Sequence, residues 1–170
     1  MDFAQLAKAR YSLRQFSDRP VEPEILQTIL EAGCNGPTAH NCQPQRIFVL
    51  QSEDALARAD ACMGFHFHPP VILAVGYDPN VSWHRTIDNK DNGEIDASIA
   101  VSQMMLQAAD LGLGSTFVGF FDLKKVAELF PEMAGLKMIC MLNLGYPAED
   151  ARPAKLHTDR RPMEETVRYL

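Results

Sequence analysis

The chain has 170 residues, of which 46% are hydrophobic, and a formal net charge of −6. That supports one domain with a proper core, and the acidic balance argues against non-specific nucleic-acid binding, which needs a field that attracts phosphates. No run approaches the roughly 18 to 20 apolar residues of a membrane span, and the first 20 residues are charged throughout, unlike a secretory signal, so the expected compartment is the cytoplasm.

In chain order, the stretch "ARYSLRQF" (9–16) comes first. Its alternation places Arg10, Ser12 and Arg14 on one side of an extended segment. Two guanidinium forks and a hydroxyl are the right donor set for a phosphate monoester. "PEILQTILEAG" then predicts a helix, with Pro23 in the first turn, Ile25, Ile29 and Leu30 on one face, and Gly33 or Gly36 to end it. In "NGPTAHNCQPQ" (35–45), Gly36, Pro37 and Pro44 fix the backbone, while Thr38, Asn41 and Gln43 offer groups that suit the polar edge of a heteroaromatic ring.

"RIFVL" (46–50) reads as a strand and "SEDALARADACM" as a helix capped by Ser52, with Glu53 and Asp54 in its first turn. "HFHPP" follows, with His66 and His68 on one face and His84 further on. These three could hold zinc, the basis of an alternative reading as a metal-dependent hydrolase, but no carboxylate or cysteine supports them at a suitable spacing. Cys34, Cys42, Cys62 and Cys140 form no CxxC pair and read as reduced, structural thiols. After the strand "PVILAVGY" (70–77), the polar, turn-rich segment 78–94 is long enough to be a functional loop.

"GEIDASIAVSQMMLQAADLGLG" (93–114) predicts a helix that is apolar nearly all round. Ile95, Ile99, Leu106 and Ala109 form one face, and Val101, Met104, Met105 and Ala108 continue it. Such a helix is buried on both sides, most simply by the sheet and by a second subunit. "STFVG" (115–119) is a strand among glycines. The order helix, glycine, strand is the reverse of the dinucleotide fingerprint, so these glycines serve to end the helix and to admit a ligand close to the backbone. A helix capped by Asp122 and the strand "KMICMLNLGY" (137–146) complete a mixed α/β layer protein.

The tail after Tyr146 is irregular until Pro162 opens a short helix, and so many residues with little internal packing call for a partner's surface. Residues 1–19 carry four basic and two acidic groups, and residues 150–170 carry five and four, so both ends are basic relative to the acidic middle. Chain termini often lie close together, which would bring Lys155, Arg160 and Arg161 to the same small anion as Arg10 and Arg14.

Taken in order, "RYSLRQF", "RPVEPEILQTILEAG", "GPTAHNCQP", "DASIAVSQMMLQAADLGLGSTFVG", "LGYP" and "RRPMEE" resemble the nitroreductase family of flavoproteins over nearly the whole chain. The resemblance implies an α+β fold: a three-layer α/β/α sandwich whose central sheet is mixed and mainly antiparallel. It implies a single domain over residues 1–170, with the tail from about 147 to 170 packing on the partner of a homodimer that binds FMN at the subunit interface. On that reading Arg10, Tyr11, Ser12 and Arg14 hold the cofactor, with the phosphate also met by Arg160 or Arg161 and by Lys155. The stretch Ser115 to Gly119, Phe117 and Val118 included, runs beside the isoalloxazine with its backbone N–H groups, and Pro37, Thr38, Asn41 and Gln43 reach it from the other subunit.

The implied activity is ping-pong. NAD(P)H gives hydride to the flavin, then an electron-poor acceptor such as a nitroaromatic or quinone takes two electrons, with no side-chain nucleophile needed. A flavin-binding protein that stores or senses FMN is the second reading. Family members often have serine at Thr38 and an aromatic at Gln45. Larger members insert helices where this chain has only the 78–94 loop, so a more open pocket is expected. Phe65, His66, Phe67 and His68, with Trp83 and His84, are the residues placed by sequence near that pocket. No metal is expected.

Overall fold

A computed structural model describes residues 2 to 170. Four strands form one antiparallel sheet: β1 (Gln45–Leu50), β2 (Val71–Tyr77), β3 (Gly114–Val118) and β4 (Lys137–Gly145), in the spatial order β1-β2-β4-β3. β2 is buried at every position, so its run of apolar residues lacks the alternation of a one-faced strand. Its alternate residues feed two cores. Leu73 and Val75 meet α2 (Pro23–Cys34) and α4 (Gly93–Asp110) on one side. Ile72 and Ala74 meet α3 (Glu53–Cys62) and α5 (Leu123–Leu129) on the other. This is the α/β/α sandwich expected from the sequence. All four strands are antiparallel, and the parallel component is a single bridge between Ser12 and Ser115.

The opening helix α1 (Phe3–Ala9) was not anticipated. It is short, with Asp2 as its cap and Leu6 as its buried residue, so its sequence carries little periodicity. α4 stops at Asp110, before the glycines: Gly112 has φ +80°, the left-handed conformation that ends helices. Gly33 lets α2 approach α4, since a Cβ there would lie 2.7 Å from Met104. Ala97, Val101, Met104 and Ala108 face the core. Half-buried Met105 packs against the same core, whereas Ile95 is exposed and Ile99, Leu106 and Ala109 are half-buried along the outer side. No described helix is long and apolar enough to cross a membrane.

The segment that matters most for the site is 12–17. Leu13 N–H donates to the Ser115 carbonyl (3.0 Å), Ser17 N–H to Tyr146 (2.9 Å), and Ala148 N–H returns to Gln15 (3.0 Å). The Leu13 side chain is wholly buried over Gly114, where a Cβ would lie 2.4 Å from it. Burying such a leucine contributes about 1.5–3 kcal/mol. A polar lock closes the far end: the Tyr146 hydroxyl donates to Glu22 (2.6 Å), Arg19 donates to the same carboxylate (2.6 Å), and the Arg19 guanidinium lies 3.8 Å from the Tyr146 ring centroid. The hydrogen bond from Tyr146, then that from Arg19, push the Glu22 carboxyl down to about 2.

A carboxyl lowered on folding adds stability above its unfolded range, near 4.3, and loses it as pH falls through the folded value. The stability difference between wild type and Glu22→Gln, measured by urea unfolding, should therefore be largest above about pH 5 and shrink as pH falls toward 2.

Candidate cofactor-binding site

Because 12–17 lies along β3 and the tail leaves β4 beside it, the two chain ends converge. They enclose a cavity of about 240 Å³ lined by Arg10, Tyr11, Ser12, Arg14, His157 and Arg160, among others. Arg19, Arg46, Arg58, Arg85, Lys137 and Arg161 each sit on a carboxylate. Among the described residues Arg10, Arg14 and Arg160 pair with none; nor do Arg152 and Arg168, which lie outside this cavity. Arg14 donates only to the Ser12 carbonyl (3.2 Å) and Arg160 only to that of Asp159 (2.7 Å). Nη1 of Arg10 is buried and has no acceptor. A buried charged donor without a partner is costly, and three guanidinium groups around one small space have the chemistry to take an anion.

Arg14 also lines a second cavity, of about 230 Å³, with Phe65, Phe67, Phe120 and residues 116–119. Phe65 and Phe67 stack with centroids 6.0 Å apart, and Phe65 meets Phe120 at 5.7 Å. Phe65, Phe117 and Phe120 are 52%, 42% and 68% exposed, an unusual concentration of open aromatic surface. The Thr116 hydroxyl on this wall is buried and unpartnered, as is that of its neighbour Ser115, which shares a third small cavity with Arg10 and Tyr11. Arg10 and Tyr11 wall both the basic cavity and the third one, and Arg14 walls both the basic cavity and the aromatic one. They form a groove with a cationic end, a flat aromatic end, and orphaned donors along its length. Buried polar groups are ordinarily satisfied, so this donor set fits a ligand carrying both a phosphate and a planar ring.

The other anticipated residues lie elsewhere. Lys155 sits in a short 3-10 turn and does not line the basic cavity, and Arg161 pairs with Glu165 at 3.4 Å. Pro37, Thr38, Asn41 and Gln43 belong to a separate loop outside this groove. That loop holds three left-handed non-glycine residues, His40 (φ 51°), Asn41 (55°) and Gln43 (49°), a cost that the surroundings must overcome. The Thr38 hydroxyl accepts from Gln43 N–H (3.1 Å), and buried Asp96 accepts from Ala39 N–H (3.0 Å). Arg46 donates one Nη to the carbonyls of Gln43, Pro44 and Gln45 at 3.2, 3.2 and 2.9 Å.

Trp83 is half-buried and stacks on His40 at 5.0 Å, so it ties the 78–92 segment to this loop. Asp91 anchors the same segment, accepting from Ser82 (2.7 Å), Lys137 (2.8 Å), Gly93 N–H (2.9 Å) and Tyr77 (3.0 Å). Burial alone would raise its pKa, but those bonds, led by Lys137, outweigh it and hold the carboxyl well below the ordinary range.

The backbone alternation in "FHFH" sorts its side chains. Phe65 and Phe67 enter the aromatic cavity, while His66 turns to Asp60 (2.9 Å) and His68 lines a different cavity against α3. His84 bonds the Ser82 carbonyl, and no group of three metal-ligating side chains gathers among the described residues. His157 and Phe120 were missed by sequence reasoning, while Phe67 and Thr116 lie within the stretches 65–68 and 115–119 that it named.

The groove thus belongs to an α/β/α protein and lies beside β3, the edge strand of its sheet. The chain belongs to the nitroreductase family, whose sequence profile matches residues 7–64 and 57–146. A nitroreductase family protein from Clostridium difficile has a structure that superimposes with a TM-score of 0.92 at 35% identity, over 99% of this chain and 98% of that one. A nitroreductase from Desulfovibrio desulfuricans, solved in complex with FMN, matches at 0.80 and 27% identity over 96% and 94%. A protein of Methanothermobacter thermautotrophicus named as an NADH dehydrogenase/NAD(P)H nitroreductase is 28% identical over 167 residues, covering 88% of this chain and 80% of its own length.

Losing the charged donor to three carbonyls removes the clamp on the strained loop. In Arg46→Met, hydrogen exchange of the amides of residues 39–45 should accelerate about tenfold or more, with the β2 and β4 amides unchanged.

Proposed function

We propose that this protein is an FMN-dependent oxidoreductase. It takes hydride from NAD(P)H and passes two electrons to an electron-poor acceptor such as a nitroaromatic or quinone. The observation that carries the reading is the buried, unpartnered Nη1 of Arg10, set in a cationic cavity that Arg14 joins to a ring-sized aromatic one. When bound, the flavin supplies the hydride and electron chemistry. The chain's own residues bind and orient it. Arg10, Arg14 and Arg160 would neutralise the phosphate and Ser12 would donate a hydrogen bond to it, Ser115 and Thr116 would offer hydroxyls along the groove, and Phe117, Val118 and Gly119 would bound the ring.

Arg14, standing between the two cavities, is the cation nearest the ring and stabilises negative charge there. Phe65, Phe67 and Phe120 exclude water and offer flat surfaces to an aromatic acceptor.

The working unit in this reading is a homodimer. The outer stripe of α4 supplies an apolar surface, and the tail leaves Leu156, Met163 and Tyr169 exposed for a partner to cover. The loop carrying Pro37, Thr38, Asn41 and Gln43 lies outside its own groove, so its place is at the partner's cofactor.

Two results are expected from the purified protein. Its flavin absorbance bleaches on anaerobic addition of NADH or NADPH and returns with a quinone; a flavin that stays oxidised with both donors would mark a carrier of FMN without turnover. Arg10→Ala weakens FMN binding about 10- to 100-fold, as loss of charge-assisted bonds to phosphate implies, while riboflavin, which lacks the phosphate, binds as before.

A further inference from the structure

His157 is the one member of the cationic cavity that can gain or lose a proton near neutrality. It lies in the 3-10 turn Lys155–His157, half-buried, and lines the same space as Arg10, Ser12, Arg14 and Arg160. Its ring meets Tyr11 edge-on, with centroids 6.0 Å apart and planes at 66°, which fixes the imidazole plane without occupying either nitrogen. Among the described residues neither ring nitrogen has a hydrogen-bond partner, in contrast to His66 on Asp60 and His84 on the Ser82 carbonyl.

Resting on the FMN reading above, we infer that His157 is a fourth cationic ligand of the cofactor phosphate, and that its imidazole takes up a proton as the phosphate binds. The groups sharing the cavity with it are Arg10, Tyr11 and Arg14 from the amino-terminal segment and Arg160 from its own tail, and its charged neighbours in sequence are Lys155, Asp159 and Arg161. A positive charge on an imidazole is favoured beside a phosphate. Histidine is the side chain whose ordinary titration lies between pH 5 and 8, so this contribution is switched within that window. The phosphate's own second ionisation, near 6 for phosphate monoesters, strengthens binding to the arginines as pH rises. It does so in wild type and variant alike, and cancels when the two are compared.

The test is FMN affinity, read from quenching of flavin fluorescence, for wild type and His157→Gln from pH 5.5 to 8.5, with riboflavin as the phosphate-free control. The wild type should bind FMN about tenfold more tightly than the variant at pH 5.5, with the ratio falling toward one at pH 8.5 and the riboflavin ratio staying near one throughout. A ratio that does not change with pH, whatever its size, overturns the inference while leaving the cofactor reading intact. Wild-type protein that binds no FMN at any pH overturns that reading and this inference with it.

Discussion

The extended segment from Ser12 to Ser17 runs across β3 and the end of β4, and the geometry of the site follows from that contact. Leu13, buried over Gly114, and the Glu22–Tyr146–Arg19 lock hold it down along its length. One side of the segment is apolar and pinned; the other presents Arg10, Ser12 and Arg14 on alternate positions. The same contact brings the chain's last stretch, leaving β4 at Tyr146, alongside its first. An apolar anchor on one face thereby positions a cationic set on the other, and the tail closes over it with His157 and Arg160.

That arrangement is electrostatically expensive in isolation. Half of the ten arginines of this acidic chain pair with a carboxylate, while those facing the groove do not, and one of them buries a nitrogen with no acceptor. The fold leaves hydroxyls of Ser115 and Thr116 in the same condition. Groups that one anionic, ring-bearing ligand would satisfy together cost stability without it, so ligand binding and folding stability are linked. The strained loop at His40–Gln43 is held differently, by Arg46, Asp96 and Trp83, none of which belongs to the groove. It is fixed from behind and left free to meet something in front.

Much of this was legible in the sequence because the signals are local. β2 announces itself by an unbroken apolar run, α2 by Pro23 and its spaced isoleucines, and the alternation of Arg10, Ser12 and Arg14 shows at a glance. The convergence of the chain ends could be argued only from charge, since the bonds that produce it link residues more than a hundred positions apart, as in Tyr146 to Glu22. His157 was missed because nothing in "AKLHTD" marks it; its partner Tyr11 is a long-range contact. Of the basic residues in the tail, the choice of Arg160 over Arg161 and Lys155 depends on where a short turn points each side chain, and Arg161 is diverted by Glu165 four positions on. Trp83, grouped by sequence with Phe65, stacks on His40 instead, because the 78–92 loop folds toward α4 under the hold of Asp91.

The central claim is that one groove takes the phosphate at its arginine end and the ring at its phenylalanine end. A crystal structure of the protein with FMN tests it most directly. The account predicts the phosphate within hydrogen-bond distance of Arg10 and Arg160, with the isoalloxazine beside residues 116–119 and Arg14 between the two. A phosphate bound away from Arg10 and Arg160, or a ring lying outside the wall formed by β3 and Phe120, would contradict it.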